Sequence, residues 1–201
     1  MLNFEIVNKK DTIRAKILSS AMEAFSENGI QGVSIRIIAK KAELSSGSIY
    51  VYFKDKNQIL EELHKSSMEA LMKSVIPNPN LKIPLEILHE SFELFISFAS
   101  KNPEDFKLLF ESSTNQNHIQ ETKLFSTEIW FNYLKNLVAE CLKDGSIKHY
   151  NQEVVSLTIW SALLGYAHLS LDRNHTGFSG IQQKSIIRDS LYFLKDLLQR
   201  Y

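Results

Sequence analysis

The chain has 201 residues, 44% of them hydrophobic and 23% charged, with equal numbers of acidic and basic side chains. This composition excludes a disordered polypeptide and allows one large or two modest domains, while zero net charge argues for no partner by itself. A lone cysteine, Cys141, excludes an internal disulfide and fits a reducing compartment, and no uninterrupted run of eighteen apolar residues marks a membrane span.

Residues 1–10 read as an arm ahead of the first helix. Lys9, Lys10 and Arg14 are either within reach of phosphate or part of a solvated terminus. This start lacks the apolar core of a secretion signal, so a cytoplasmic location is expected. A first long helix is expected from Thr12 to Asn28, capped by Asp11, with Ile13, Ile17, Ala21, Ala24 and Phe25 as its inner stripe. Gly29 falls at the position after the helix end, where Ile30 can fold back on Phe25.

Ser34 to Phe53 is the stretch that organises the rest. Ser34 stands as an N-cap, followed by an apolar stripe of Ile35, Ile38, Ala39 and Ala42 with Arg36 and Lys40 on another face. Ser45 reads as a second cap, with Leu44 and Ile49 placed as a hydrophobic staple around it. Ile49 and Phe53 turn inward; Gly47, Tyr50, Val51 and Lys54 turn outward, flanked by Ser46 and Ser48. Two short helices with a small, hydroxyl-rich, tyrosine-tipped outer face have the layout of a helix-turn-helix that reads the DNA major groove. Residues 1–56 carry a net charge of +3 and residues 57–201 carry −3, which gives this assignment weak support.

Glu23–Phe25, Gly29, Ser34–Ala39, Ser45–Phe53 and Lys56 together resemble the DNA-binding domain of the TetR family of repressors. The resemblance covers about the first third of the chain and is specific, because many spaced positions match at once. It implies DNA contacts from Arg36, Ser45, Ser46, Gly47, Ser48, Tyr50, Tyr52 and Lys56, the lysine as a phosphate clamp at the first turn of the next helix. The chain departs from the family at the turn, where Glu43 replaces the usual glycine. A left-handed residue other than glycine costs roughly 1–2 kcal/mol.

Asp55 with Gln58 three residues later forms a capping-box variant that opens a fourth helix, running through Leu60, Leu63, Met68, Leu71 and Val75 to the Pro77–Pro79 break. The expected fold is all-α, about nine helices, with a three-helix DNA-binding domain over 8–70 and a helical effector-binding and dimerisation domain over 71–201. In that body, helices are expected near 85–100, 104–112, 118–143, 151–172 and 181–200, with loops at Ser112–Thr114 and around Gly177. Asn102-Pro103-Glu104-Asp105 is a firm helix start.

The helix over 151–172 is apolar nearly all round, so both sides should be buried, by a second subunit or as the central helix of a monomer. In the resembled family the last two helices form the dimer's four-helix bundle, which points to Ile159, Leu163, Tyr166, Leu191, Leu194 and Leu198 as interface residues. Aromatic density in the body admits plain core or the wall of an apolar pocket. The resemblance favours a pocket containing Phe92, Phe95, Phe106, Phe110, Trp130, Tyr133, Trp160 and His168, with His89 and Asn132 as further polar anchors.

The six histidines form no metal-ligand spacing, and no phosphate loop or nucleophile elbow is present, so no metal, no cofactor and no enzymatic activity are expected. The reading is a cytoplasmic homodimeric transcriptional regulator of double-stranded DNA with a palindromic operator, a repressor released by a small apolar effector. The alternative is an all-helical ligand-binding or scaffold protein with a degenerate helix-turn-helix, supported by Glu43 and the small basic excess.

Overall fold

The computed structural model describes residues 2–110, 117–148, 151–171 and 180–200. Among these there are nine helices and no strand: α1 (Leu2–Gly32), α2 (Ile35–Lys41), α3 (Ser46–Tyr50), α4 (Lys56–Ser74), α5 (Pro84–Lys101), α6 (Pro103–Phe110), α7 (Asn117–Lys143), α8 (Gln152–Leu171) and α9 (Gly180–Arg200). The expected loops at Ser112–Thr114 and Gly177 lie outside the described residues.

Residue contacts divide the chain into two units. The first comprises residues 1–68 and 107–126, the second 69–106 and 127–201. Sequence reading gave the stretch 107–126 to the second part; contacts group it with the first.

The core of the first unit is built from Ile17, Ala21, Ala24, Phe25, Ile30, Val33, Ile38, Ala39, Ile49, Phe53, Ile59, Leu60 and Leu63. These are the apolar stripes of α1 to α4, so the periodicities in the sequence converge on one cluster. The N-terminal arm is a correction. Backbone helix begins at Leu2, and Asp11 lies exposed inside α1 rather than capping it. At Gly29 (φ 66°, ψ 160°) the helix breaks, and Ile30–Gly32 form one further turn. Positive φ is strained for any residue with a Cβ, which is why glycine suits this kink.

In the second unit α5, α8 and α9 pack together. α5 buries Leu85, Leu88, Phe92, Phe95, Phe98 and Ala99, and α8 buries Val155, Ile159, Trp160, Leu163 and Ala167. α8 starts on a true cap, its Val154 N–H donating to Asn151 Oδ1 at 3.1 Å. By length and a mean hydropathy of 1.5 it is the one described helix apolar enough to cross a membrane. A third of that apolar span is buried, on the side that packs with α5 and α9, whereas sequence reading expected both sides covered.

Candidate nucleic-acid interface

The reader pair is held by caps at each joint. Ser34 Oγ accepts from the Ile37 N–H, starting α2. Its end is a Schellman closure: Leu44 N–H donates to Ala39 O at 2.8 Å and Glu43 N–H to Lys40 O at 3.1 Å. The residue after such a closure must turn left-handed, and Glu43 does so at φ 54°. Its carboxylate accepts from Lys16 Nζ of α1 at 3.0 Å, so this charge is paired within the subunit.

Ser45 Oγ accepts from the Ser48 N–H at 3.1 Å and shares a 2.8 Å hydrogen bond with Ser48 Oγ. These two hydroxyls therefore start α3 and have part of their capacity left over. Ser46 is half-buried and Gly47 exposed, while Tyr50 and Val51 stand 57% and 71% exposed with nothing of the described subunit over them. Gly47 is helical, and a Cβ there would meet only Ser45 Oγ at 3.8 Å. The fold therefore has room for a side chain at 47. Tyr52 differs from its expected place on the outer face. Its ring is half-buried against the core cluster, and its carbonyl accepts from Arg14 Nη1 at 2.9 Å.

The cations sort into paired and unpaired. Arg14, read as either within reach of phosphate or solvated, is instead tied to the protein. It donates from Nε to Glu62 Oε1 at 2.9 Å and to Tyr52 O, and its guanidinium lies 4.3 Å from the Phe53 ring centre. Lys41 pairs with Glu23 and Glu27, which raise its pKa. Lys56 is partly engaged by the protein itself. Its ammonium donates to Ile30 O and Val33 O at 3.0 Å each, and burial lowers its pKa. Two of its three protons are thus committed to the protein. Arg36 is exposed and unpaired, as are Lys40 and Lys54, which the sequence-derived contact set omitted. Their exposure beside the reader was visible in helical phase; their freedom from partners was not.

At low identity, solved structures share this fold. The chain superposes on AibR, whose structure contains isovaleryl coenzyme A and operator DNA, with a TM-score of 0.74 at 16% identity, covering 94% of this chain and 100% of that one. It is 22% identical over 153 residues to the HTH-type transcriptional regulator YhgD of Bacillus subtilis, covering 74% of this chain and 80% of that protein. A 53-residue stretch is 42% identical to a fatty acid metabolism regulator protein of the same organism, over 26% of this chain and 27% of that one. The sequence model for bacterial regulatory proteins of the tetR family matches residues 17–63, which contain α2, α3 and both caps.

The helix-turn-helix stretch of this chain is thus similar to that of tetR-family bacterial regulatory proteins.

The expected pocket residues divide by position. Phe92, Phe95, Phe106, Trp130 and Trp160 are buried in the second unit, Tyr133 is half-buried, and His168 is exposed. Phe95 stacks on Trp130 at 4.8 Å and meets Phe106 and Trp160 edge-on at 5.8 and 5.7 Å. Tyr133 lies 5.3 Å from Trp130 and its hydroxyl bridges Ser91 Oγ and Val75 O. Burial raises the Tyr133 pKa, opposed in part by Ser91. His168 packs edge-on against Phe106. Phe110 is half-buried on α6. Of the other anchors, His89 is buried with its ring tilted against Tyr192 at 4.6 Å, and Asn132 is exposed. Trp130 Nε1, fully buried, has no hydrogen-bond partner.

The expected interface residues divide in the same way. Ile159, Leu163, Leu191 and Leu194 are buried inside the subunit, and Tyr166 and Leu198 are half-buried. A side chain already enclosed by its own chain has little surface left for a partner. Among the described residues, the large apolar side chains that α8 and α9 leave in solvent are Val154, Leu157, Leu169, Ile186, Tyr192 and Phe193. Among the described residues no group of three or more His, Cys, Asp or Glu is placed to hold a metal ion.

Proposed function

We propose that the chain is a homodimeric transcriptional repressor that binds a palindromic operator through α3 and is released by a small apolar effector. The carrying observation is the outer face of α3, where a glycine the fold does not require lies beside an exposed tyrosine and valine. A glycine inside a helix costs about 1 kcal/mol relative to alanine, so its presence at an unobstructed position suits close approach by another surface. Arg36, Lys40 and Lys54 supply unpaired positive charge around that face. Gly47, Tyr50 and Ser46 are the base-facing set, with Ser45, Ser48 and Tyr52 shaping the helix that carries them.

Two copies of α3 must fall on successive major-groove faces, about 34–36 Å apart or a multiple of that. The dimer surface in this reading is Val154, Leu157 and Leu169 of α8 with Ile186 and Phe193 of α9. The division of labour falls near residue 70. The effector enters the aromatic cluster around Phe95, Trp130 and Trp160. Among the described residues of that unit the buried polar side chains are His89, Ser91 and Ser156, with no carboxylate or ammonium among them. The buried part of an effector is therefore neutral, because an unpaired charge there would be costly. AibR, with its acyl thioester and operator DNA, offers a precedent for such a switch. An effector that prefers a subunit shape with the wrong reader spacing weakens DNA binding by linkage.

Selection of bound duplexes from random DNA, followed by a gel shift on DNA upstream of the chain's own gene, tests the proposal. The expected outcome is an inverted repeat bound by a dimer, more weakly as salt rises. A single-subunit species that binds no duplex at low ionic strength would overturn it. The degenerate-reader alternative loses its main support, because the backbone accommodates Glu43 and Lys16 pairs its charge.

A further inference from the structure

We propose that Trp130 and Ser156 are the polar anchors of the effector site, and that they select an apolar molecule carrying a neutral hydrogen-bond acceptor: a ketone, ester or amide carbonyl. The inference rests on the effector reading above and narrows its ligand class.

The second unit buries little polarity, and Ser91 shows how such a group is normally treated. Its Oγ donates to Ile87 O at 2.9 Å and lies 3.2 Å from the Tyr133 hydroxyl. Trp130 and Ser156 break that pattern. Both are wholly enclosed, yet neither Trp130 Nε1 nor Ser156 Oγ has a hydrogen-bond partner. An enclosed polar atom left unpaired is costly, so each one needs a reason. His89 Nε2 is a third such atom, but its ring packs on Tyr192, which is half exposed.

Ser156 is the sharper case. Serine and threonine inside a helix commonly turn the hydroxyl back to a carbonyl of the preceding turn. Ser74, Ser91, Thr158 and Ser170 do so here, reaching Ala70 O, Ile87 O, Val154 O and Ala167 O at 2.8, 2.9, 2.8 and 2.7 Å. Ser156, on the same helix as Thr158 and Ser170, does not. It stands one turn before Trp160 on the buried face of α8, and the Trp160 ring lies 6.4 Å from that of Trp130. Both unpaired groups therefore belong to the aromatic cluster of Phe95, Trp130 and Trp160.

Aromatic rings alone admit three ligand chemistries: a hydrocarbon, a cation over a ring face, or a carbonyl compound. The unpaired groups discriminate among them. An indole N–H only donates, so it opposes a cation and gains nothing from a hydrocarbon. A carboxylate would accept from it, but among the described residues of this unit no buried ammonium or guanidinium balances that charge. A neutral carbonyl oxygen gives the indole its acceptor, leaves a lone pair for the Ser156 hydroxyl and brings no charge.

The experiment uses the full-length protein with isotope-labelled indole nitrogens, whose two N–H signals in nuclear magnetic resonance are assigned with W160F. The probes are acetophenone, ethylbenzene, benzoate and phenyltrimethylammonium. Acetophenone is expected to bind about tenfold more tightly than ethylbenzene, the scale of one hydrogen bond, and to move the Trp130 indole proton downfield. Benzoate and phenyltrimethylammonium should bind more weakly than either. W130F keeps a ring without its donor, so the order of acetophenone and ethylbenzene should reverse, because the carbonyl then loses water and gains nothing. S156A, the milder change, should bind ethylbenzene as wild type does and shrink the acetophenone preference; it carries the mutational test if W130F fails to fold. Ethylbenzene bound as tightly as acetophenone in wild type, with the Trp130 signal unmoved by the ketone, overturns the anchors and leaves an apolar effector site standing. Tightest binding by phenyltrimethylammonium overturns them in favour of a cation site. A Trp130 proton already hydrogen-bonded before any probe is added, and unmoved by acetophenone, overturns them in favour of a buried water. If no probe shifts either indole signal, the effector site lies elsewhere and both readings fall.

Discussion

Lys16 and Glu43 meet at 3.0 Å across the outside of the first unit, joining α1 to the turn between the two reader helices. The pair sits on a residue whose φ of 54° is strained for anything but glycine. The strain is worth roughly 1–2 kcal/mol, an exposed ion pair at most about 1. Glu43→Gly relieves the strain but loosens the unfolded chain, so a net gain of about 0.5–1 kcal/mol is expected. Glu43→Ala keeps the strain and loses the pair, so it should be less stable than wild type. Chemical denaturation of the three proteins checks this; equal stability of the Gly and Ala variants would refute the strain argument.

Arg14 ties α1 to the end of α3 and to α4 through Tyr52 O, Glu62 and the Phe53 ring. Arg14→Met is expected to destabilise by about 2–4 kcal/mol, because it leaves a carbonyl and a carboxylate without their shared donor. The readout is the unfolding midpoint of the first unit. A loss under 0.5 kcal/mol, the range of ordinary surface changes, would return Arg14 to the solvated surface.

Gly47 separates folding from recognition. A Cβ at this site meets only Ser45 Oγ, at an ordinary 3.8 Å. Gly47→Ala should therefore raise stability slightly, by about 0.5–1 kcal/mol, while operator affinity drops at least tenfold. Tyr50→Ala should weaken binding with little change in stability, and Arg36→Ala should also lower the salt slope. Operator binding by Gly47→Ala at full strength would contradict the close approach of α3.

The dimer surface assigned to α8 and α9 makes a similar split. Phe193 is 63% exposed and Leu157 is 57% exposed, so a charge at either leaves the subunit's own core intact. Phe193→Glu and Leu157→Glu are expected to yield folded monomers in sedimentation, with operator affinity greatly reduced. Dimers of unchanged stability would move the interface elsewhere.

His89 gives a pH dependence. Burial lowers its pKa, opposed by nearby Glu93 and Asp196 and reinforced by Lys195, while its ring lies against Tyr192 at 4.6 Å. The folded pKa is thus below the ordinary value of about 6.5 that the unfolded chain retains. Between the two values the unfolded chain takes up a proton that the folded one resists, so stability is full above about 6.5 and falls as pH drops through that window. His89→Phe should flatten the melting temperature between pH 7 and 5 relative to wild type. An unchanged slope would place the titration on another group.

Much of this was legible in the sequence because capping chemistry is local. Ser34, Ser45 and Asn151 cap as their positions require. Asp55 accepts from the Gln58 N–H while Gln58 reaches back to the Lys54 N–H. Periodicity also located the core stripes of α1 to α4. It could not tell which atoms would cover a stripe. Ile159 and Leu191 belong to apolar runs that one subunit encloses by itself, leaving Leu157 and Phe193 outside. Long cationic side chains were the other blind spot. Lys56 and Arg14 are aimed by carbonyls and a carboxylate more than twenty residues away, and nothing local to either residue encodes that direction.

Trp130 and Trp160 are the chain's two tryptophans, and their rings lie 6.4 Å apart inside the second unit. Ultraviolet emission of the whole molecule therefore originates chiefly from this one place, with no dye or label attached. Two indoles this close also couple their transitions, so near-ultraviolet circular dichroism will register small changes in the angle between them. Any compound that enters among these rings announces itself optically, and a library can be screened on unmodified protein before its biological trigger is known.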